Sequence, residues 1–197
     1  MSSFEVYSYF YSLILKFMAK FYTTITKRLQ KFIEKQKIFF VATAPSNGRI
    51  NLSPKGMDSF RVINENKVLW LNVTGSGNET AAHLLENNRI TIMFCSFEGA
   101  PNILRLYGKG TEIKPNDNDW KNVISLFPET PGTRQVFEID VESAQTSCGM
   151  SIPFFEYQGE RNELNDWAKE KGREEIEQYW KDKNQTSIDG LKTNILD

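Results

Sequence analysis

A succession of short, β-prone segments separated by turn residues limits the folds open to this chain more than any other feature. The segments lie at residues 38–44, 49–53, 60–64, 67–73, 89–97, 103–113 and 134–141. The turns between them, such as Pro45-Ser46-Asn47-Gly48 and Asn64-Glu65-Asn66, have the lengths of hairpin connections. Because few helices intervene, six or seven strands at this spacing favour a small antiparallel barrel over a parallel sheet.

Two glycines interrupt the longest of these segments, residues 103–113. Gly108 and Gly110 lie inside an otherwise strand-like run. Glycine within a strand weakens it and often marks a bulge or a tight bend, as the corner of a barrel requires. The sequence therefore predicts that this strand bends at its glycines.

Helices are predicted at both ends of the barrel sequence and at two places within it. Helical periodicity is found at residues 18–36, 79–87, 117–127 and 163–183. Thr24 and Thr26 are candidate caps of the first helix, and Gly172 splits the last one into two. The chain is accordingly divided into an N-terminal extension (1–17), a barrel domain (18–150) and a C-terminal helical segment packed on the barrel (151–197).

The N-terminal extension is apolar but has the features of neither a membrane anchor nor a secretory signal. Residues 4–15 carry Glu5 as their one charge, and Lys16 follows. This run is shorter than the roughly 20 residues that span a bilayer, and no basic residue precedes it. Two widely separated cysteines, Cys95 and Cys148, fit free thiols in a reducing compartment. We therefore expect a cytoplasmic protein that does not associate with membranes.

Charge and histidine content exclude several classes of function. The 24 Lys and Arg residues nearly balance the 25 Asp and Glu residues, so no global positive field favours nucleic acid. His83 is the only histidine, which excludes any mechanism that needs two imidazoles. With no Cys-x-x-Cys pair and no histidine cluster, no metal site is expected.

The first candidate binding segment is Asn51–Gly56 (NLSPKG), at the end of a predicted strand. Ser53 supplies a short hydroxyl donor and Lys55 a point positive charge, which together suit a phosphate group. Pro-Lys-Gly is also common turn chemistry, so a purely structural role for the segment stays open.

The second candidate is Thr74–Thr80 (TGSGNET), which follows one predicted strand and opens a helix. Its glycines let the backbone approach a ligand, and a helix N-terminus offers unpaired N–H groups to an anion. The alternative is a capping box, in which Ser76 and Glu79 satisfy the helix end without any ligand. A carboxylate at Glu79 would also repel a phosphate placed too close to it. The sequence favours neither interpretation.

Three further residues have two interpretations each. His83 either reaches a ligand held at the start of its helix or is a satisfied surface or interface residue. Arg105, a charge among apolar neighbours, either points to solvent or is buried against a ligand ring or a partner carboxylate. Cys148 is either a nucleophile or a buried structural thiol, and the lack of a second histidine favours the thiol.

Taken together, these segments resemble the pyridoxamine 5′-phosphate oxidase-related family of flavin-binding split-barrel proteins. The segments that carry the resemblance are FFVATAP (39–45), NLSPKGMD (51–58), TGSGNETAAH (74–83), NRITIMFCSFEG (88–99), LRLYG (104–108), and QTSCG (145–149) followed by Pro153. They keep their order over nearly the whole chain from Met18 to about Leu191, which makes the set far more specific than any one motif.

The resemblance implies a six-stranded antiparallel Greek-key split barrel that forms a homodimer and holds FMN in a groove at the subunit interface. By position it implies that the FMN phosphate is held by Ser53, Lys55, Gly75, Ser76, Asn78 and Thr80. Arg105 and the stretch Gln145–Ser147 are then candidates to contact the flavin ring or the neighbouring subunit. The flavin would accept a hydride and be reoxidised, while the protein supplies position and electrostatics.

The chain also departs from the oxidases of this family. Those that act on pyridoxamine phosphate carry a C-terminal Arg-x-His-type substrate clamp and several basic residues at the phosphate, whereas this chain has His83 alone and Lys55. The usual Tyr after Cys-Gly is replaced by Met150. We therefore expect an FMN-binding oxidoreductase with an unknown small-molecule substrate. The alternative is a non-catalytic split barrel that lost the cofactor and serves a binding role; no residue demands a haem or a deazaflavin.

Overall fold

The computed structural model describes residues 19–197, so the extension predicted for 1–17 lies outside the described residues. The strands are β1 (Lys20–Tyr22), β2 (Phe39–Thr43), β3 (Asn51–Lys55), β4 (Phe60–Asn64), β5 (Lys67–Val73), β6 (Arg89–Cys95), β7 (Asn102–Ile113) and β8 (Thr133–Cys148). The helices are α1 (Lys27–Ile33), α2 (Glu79–Glu86), α3 (Trp120–Ile124) and α4 (Glu163–Lys183).

All eight described strands belong to one antiparallel sheet with the order β3-β2-β6-β7-β8-β5-β4, and β1 pairs with the far half of β8. The predicted class, mainly antiparallel β with peripheral helices, is confirmed, but the predicted count of six strands is wrong. The predicted strand 134–141 in fact continues to Cys148, where Ala144 and Thr146 point inward and polar side chains point outward. This half lacks the apolar run that marked the other strands, and β1 has only three residues.

The inward-facing side chains of the curved sheet form one apolar core. Residues 39 and 41 of β2 are buried while 40 and 42 are half-buried, the period of two expected of a strand with one face on a core. Aromatic rings fill the centre: the Phe39 ring lies 5.7 Å from Phe94 and 6.4 Å from Trp70. This core includes Val68 and Trp70 of β5, while β3 is held by its antiparallel pairing with β2.

The glycines of β7 produce the bend that the sequence predicted. The β7–β8 register shifts between Tyr107 and Gly108, which is a bulge. A Cβ at Gly108 would lie 2.2 Å from the Asp140 carbonyl oxygen, so only glycine permits this close backbone approach. At Gly110 a Cβ would lie 2.8 Å from Leu84 Cδ1, which lets α2 pack closely on the strand.

The ends of the helices differ in part from the sequence prediction. Thr26 caps α1, since its Oγ1 accepts a hydrogen bond from Leu29 N at 3.4 Å. The helix begins only at Lys27, however, so the prediction of a helix from residue 18 is wrong, because β1 pairs there with β8. The predicted split of the last helix is confirmed by Gly172, whose φ of 68° interrupts α4.

The C-terminal segment lies against the end of the barrel where β5 leads into α2. Trp180 Nε1 of α4 donates a hydrogen bond to Thr74 Oγ1 at 2.8 Å, and Ala168 and Ile176 are buried. The contact places residues 184–193 beside the loop that precedes α2. The domain boundaries after residues 17 and 150 stay predictions. None of the helices in residues 19–197 is long and apolar enough to cross a membrane.

Candidate functional site

A cavity of about 500 Å³ lies at the opening of the barrel, between β3 and the loop that leads from β5 to α2. Six of the seven predicted cofactor-binding residues line it: Ser53, Lys55, Gly75, Ser76, Asn78 and Thr80. Asn51 Nδ2 donates to Thr80 Oγ1 at 3.4 Å, which links the two segments directly. The structure therefore brings together the two turns that the sequence singled out separately.

Lys55 presents its ammonium group to this cavity without a carboxylate partner. Its Nζ lies 5.0 Å from the centre of the Trp70 ring, a cation–π contact. Across residues 19–197, no carboxylate oxygen lies within ion-pairing distance of Nζ. Burial, and secondly the positive charge of Arg134, lower the pKa of Lys55 to about 8. An anion in the cavity would supply the missing counter-charge.

The loop before α2 does not form the capping box that the sequence allowed. The N-cap is Asn78, which makes no side-chain cap hydrogen bond. The Glu79 carboxylate instead accepts from Ile188 N in the C-terminal segment, at 3.1 Å from each oxygen, and Ser76 is exposed. The capping-box alternative is therefore wrong, because a partner distant in sequence takes Glu79. The first N–H groups of α2 are left without a side-chain cap.

Arg134, a second cation of the cavity, is not among the residues predicted from the sequence. Its side chain lines the same cavity and is only 4% exposed. Its Nη1 donates to the Gly77 carbonyl at 3.1 Å and to Asn184 Oδ1 at 2.7 Å. Burial lowers the pKa of Arg134 to about 10. The β5–β8 pairing sets Asn72 opposite Gln135, so the start of β8 lies beside the loop before α2. The position of Arg134 at the cavity follows from this strand register, which the sequence alone does not show.

Several buried polar atoms around the cavity have no partner among the described residues. They are Asn78 Nδ2, Arg134 Nε and Gln135 Oε1. Asn78 is oriented by Gln135, whose Nε2 donates to Asn78 Oδ1 at 2.7 Å. Buried polar groups in native structures are almost always hydrogen-bonded, so these two donors and one acceptor mark an incomplete polar network beside the cavity.

Arg49 and Glu79 also line the cavity, and each has a partner in the C-terminal segment. Arg49 forms an ion pair with Asp189, and the Arg49 backbone N donates to Asp189 Oδ2 at 2.6 Å. Glu79 accepts from Ile188 N, as described above. Lys55 and Arg134 are therefore the two cations of the cavity that have no carboxylate partner within the part of the chain described.

The structure places Arg105, the seventh predicted residue, elsewhere. Arg105 does not line this cavity: it is half-buried on the outer face of β7, where its Nη1 donates to Ser147 Oγ at 3.1 Å. Next to it, Tyr107 Oη donates to Gln145 Oε1 at 3.0 Å. Alternation along β7 puts Leu104 and Leu106 into the core and these polar groups outside. Arg105 therefore belongs to a different surface from Lys55.

The other two candidates lie away from the cavity. His83 is 1% exposed, and its Nδ1 lies 3.0 Å from Thr43 Oγ1. It lines neither cavity described here, so the prediction of a surface or interface histidine is wrong and its approach to a ligand is not supported. Cys148 is a half-buried free thiol whose Sγ accepts from Met150 N at 3.3 Å, with no base beside it in these contacts.

A second cavity of about 510 Å³ adjoins the first. The two share the wall formed by Lys55, Trp70, Asn72, Val73 and Gly75. Its other walls include apolar side chains from the loop after β3 and from α4, such as Met57 and Leu164. The barrel opening thus has room for two small molecules or for one extended molecule, and Lys55 lies between the two spaces.

Comparison with known proteins identifies the family to which the barrel domain belongs. The family description "Pyridoxamine 5′-phosphate oxidase" matches residues 25–148, which include every barrel strand except β1. The chain belongs to the pyridoxamine 5′-phosphate oxidase family. The cavity therefore lies within the family domain, apart from residues such as Ile188 that come from the segment after it.

Relatives in this family are similar over most of the chain. The pyridoxamine 5′-phosphate oxidase family protein ustO of Aspergillus flavus is 40% identical over 144 residues, 71% of this chain; the match spans 58% of the length of that relative. A solved structure of a Lactobacillus delbrueckii protein provisionally assigned as a pyridoxamine 5′-phosphate oxidase has a TM-score of 0.51 and 16% identity, over 62% of this chain and 94% of that one. A single-residue variant of HupZ from Group A Streptococcus has a TM-score of 0.50 and 21% identity, over 61% of this chain and 97% of the other. These structures support the split-barrel fold.

Proposed function

We propose that this protein is a flavoprotein that binds FMN through its phosphate and acts as an oxidoreductase on an unknown small molecule. The observation that carries the proposal is that two cations, Lys55 and Arg134, line one cavity. Neither has a carboxylate partner among the described residues. A phosphoryl dianion supplies two negative charges and acceptor oxygens, which match two cations and unused N–H donors. The family generally binds flavin, which agrees with this choice of phosphate ester.

The residues at the cavity fit such a phosphate. Lys55 would supply a point charge, and Arg134 a second, largely buried positive charge at the cavity. The first N–H groups of α2 lie at the positive end of its dipole. The sequence indicated a single cation at this site, and the structure adds a second one. The alternative of a barrel that lost its cofactor was based on the small number of basic residues at the phosphate site. A second cation at this site weakens that alternative.

Bound FMN would supply hydride transfer and reoxidation, chemistry that no side chain offers. The contribution of this chain would be to hold the phosphate at the barrel opening. The adjoining cavity, whose walls are shared at Lys55 and Trp70, offers space for a second small molecule. The sequence lacks the Arg-x-His-type clamp and so gives no support to pyridoxamine phosphate as substrate.

The visible absorption spectrum of the full chain tests this proposal. After incubation with excess FMN and removal of unbound flavin, we expect the wild-type protein to retain the flavin absorption band. We expect the Lys55→Ala variant to lose it, whereas Lys109→Ala should keep it, because Lys109 is an exposed lysine paired with Glu142. A wild-type protein that stays colourless would contradict the proposal and favour the non-catalytic alternative.

We also propose that the protein is a homodimer that associates through the outer face of the sheet. In the registers of β2, β6, β7 and β8, Phe40 lies opposite Met93, Met93 opposite Arg105, and Arg105 opposite Gln145. Leu52 on the neighbouring strand β3 is 63% exposed. An outer face with apolar side chains around a central arginine suits a self-complementary interface, where arginine is enriched.

Sedimentation velocity of a pair of matched variants tests the dimer. We expect twice the monomer mass for the wild type and the monomer mass for Leu52→Asp, because a charge in an apolar interface loses its hydration on association. Leu126→Asp, which changes an exposed leucine beside α3, should remain a dimer. A monomeric wild type, or a dimeric Leu52→Asp variant, would contradict this interface.

The compartment proposed for the protein is the cytoplasm. Both cysteines of the described chain, Cys95 and Cys148, are free thiols, as the sequence predicted. Free thiols persist in a reducing environment. Fluorescence microscopy of the tagged full chain tests this assignment, and localisation to a secretory compartment would contradict it.

A further inference from the structure

The segment that follows α4 lies outside the family domain, yet it provides a fully buried side chain that contacts two lining residues of the cavity, Arg134 and Gly75, from behind. Asn184 is 0% exposed, and so is Thr193, whose Oγ1 donates to the Asn184 carbonyl at 2.6 Å. Thr193 N donates to the Gln185 carbonyl at 2.9 Å. These bonds fold residues 184–193 back on themselves and hold Asn184 in place.

The Asn184 side chain connects the buried cation to the loop before α2. Its Oδ1 accepts from Arg134 Nη1 at 2.7 Å, and its Nδ2 donates to the Gly75 carbonyl at 3.2 Å. A guanidinium can only donate and a carbonyl can only accept, so these two partners fix which end of the amide faces Arg134. The amide thus orients both the cation and the backbone of the same anion site.

The side chain that hydrogen-bonds the buried Arg134 guanidinium is a neutral amide and not a carboxylate. Arg134 is 4% exposed, and no carboxylate within residues 19–197 lies within ion-pairing distance of it. A buried charge is normally paired with an opposite charge. An asparagine orients the guanidinium without neutralising it. The half-buried Glu112 carboxyl attracts Arg134 electrostatically but forms no ion pair with it, so much of the positive charge remains for a ligand. Arg134 lines the cavity, and its Nε is buried without a partner among the described residues.

We propose that Asn184 is a positioning residue of the anion site: it holds the Arg134 guanidinium against the cavity and leaves its charge for a phosphoryl dianion. This inference rests on the proposed function and extends the site beyond residues 25–148. It assigns to the C-terminal segment a role in ligand affinity in addition to its packing on the barrel.

The Asn184→Asp variant separates positioning from packing. An aspartate keeps the acceptor for Arg134 and adds a negative charge beside it, but it loses the hydrogen bond to the Gly75 carbonyl and sets an oxygen against that carbonyl. The new ion pair and the lost hydrogen bond oppose each other, so the variant should fold with a Tm within about 4 °C of wild type. Its affinity for FMN, measured by flavin fluorescence quenching, should fall by about 30-fold because the cation is neutralised within the protein. Asn194→Asp is the control: it makes the same change at an exposed position of the same segment and should bind FMN within about 2-fold of wild type.

A second variant and a second ligand keep the outcomes distinct. Should Asn184→Asp fail to fold, Asn184→Ala replaces it, with an expected loss of about 3- to 10-fold in the affinity of the folded protein for FMN. Wild-type affinity in a folded Asn184 variant would overturn the inference. Inorganic phosphate distinguishes failure of the proposed function from failure of this inference. Suppose that the wild type binds no FMN, that phosphate raises its Tm, and that Asn184→Asp abolishes this rise. The proposed function then fails, while the role of Asn184 in the anion site stands. If FMN binds both proteins equally, the inference fails alone.

Discussion

Replacing Arg134 by methionine should weaken FMN binding by about 100-fold, because a buried, charge-assisted contact to the phosphate is worth about 2–3 kcal/mol. The side chain is 4% exposed and makes its two hydrogen bonds through Nη1, to Gly77 and Asn184. Methionine fills similar space without charge. Isothermal titration calorimetry with FMN measures the effect.

The stability of this variant should change little. Removing a buried charge relieves its desolvation cost, while the carbonyl of Gly77 and the amide of Asn184 lose a donor. These effects oppose each other, and we expect the free energy of unfolding to stay within about 1 kcal/mol of wild type.

Arg49→Met is the matched control for Arg134→Met. Arg49 lines the same cavity, but its side chain is 68% exposed and paired with Asp189. We expect its loss to change FMN affinity by less than about 3-fold, since exposed ion pairs contribute little. Equal losses in the two variants would show that general charge, and not the buried guanidinium, governs binding.

Replacing Gly108 by alanine should destabilise the barrel strongly, by about 3 kcal/mol or more. The added Cβ would lie 2.2 Å from the Asp140 carbonyl oxygen and 3.0 Å from its carbon, atoms of the backbone of the paired strand β8 that cannot rotate away. The bulge between Tyr107 and Gly108 would have to open. A Tm lower by about 6–12 °C in thermal unfolding monitored by circular dichroism is the expected result.

Alanine substitutions at Gly110 and Gly75 are the controls for the destabilisation expected of Gly108→Ala. At Gly110 the Cβ would meet the end of the flexible Leu84 side chain, at 2.8 Å, so Gly110→Ala should destabilise less than Gly108→Ala. At Gly75 nothing lies within 4 Å, and Gly75→Ala should leave the Tm within about 2 °C of wild type. A wild-type Tm for Gly108→Ala would mean that the close approach of β7 and β8 does not limit stability.

The fold could be predicted where hydrophobic period and turn chemistry agree. The strands β2, β4, β5 and β6 begin within one residue of the predicted positions, because each has apolar side chains and an adjacent turn. The strand β1 and the second half of β8 were missed for a physical reason. The strand β1 pairs with the second half of β8, on the far side of the β7 bulge at Gly108. This pairing joins segments more than 100 residues apart, and no local sequence pattern predicts it.

The candidate site was predicted in part, by its local segments. Ser53 and Lys55 were recognisable at a strand end, and Gly75 to Thr80 at a helix start. Arg134 and Asn184 were not, since each reaches the cavity through partners 50 or more residues away. The capping-box alternative is excluded by Ile188, whose backbone N–H donates to the Glu79 carboxylate. The roles of these residues toward a cofactor stay proposals.

A calorimetric comparison of FMN with riboflavin tests most directly whether the barrel opening recognises a phosphoryl group. The two compounds share the flavin ring and differ in the phosphate that Lys55 and Arg134 are proposed to bind. We expect the full-length protein to bind FMN at least about 100-fold more tightly than riboflavin, given two charge-assisted contacts in a partly buried site. Equal affinity for the two, or no binding of either, would contradict the account.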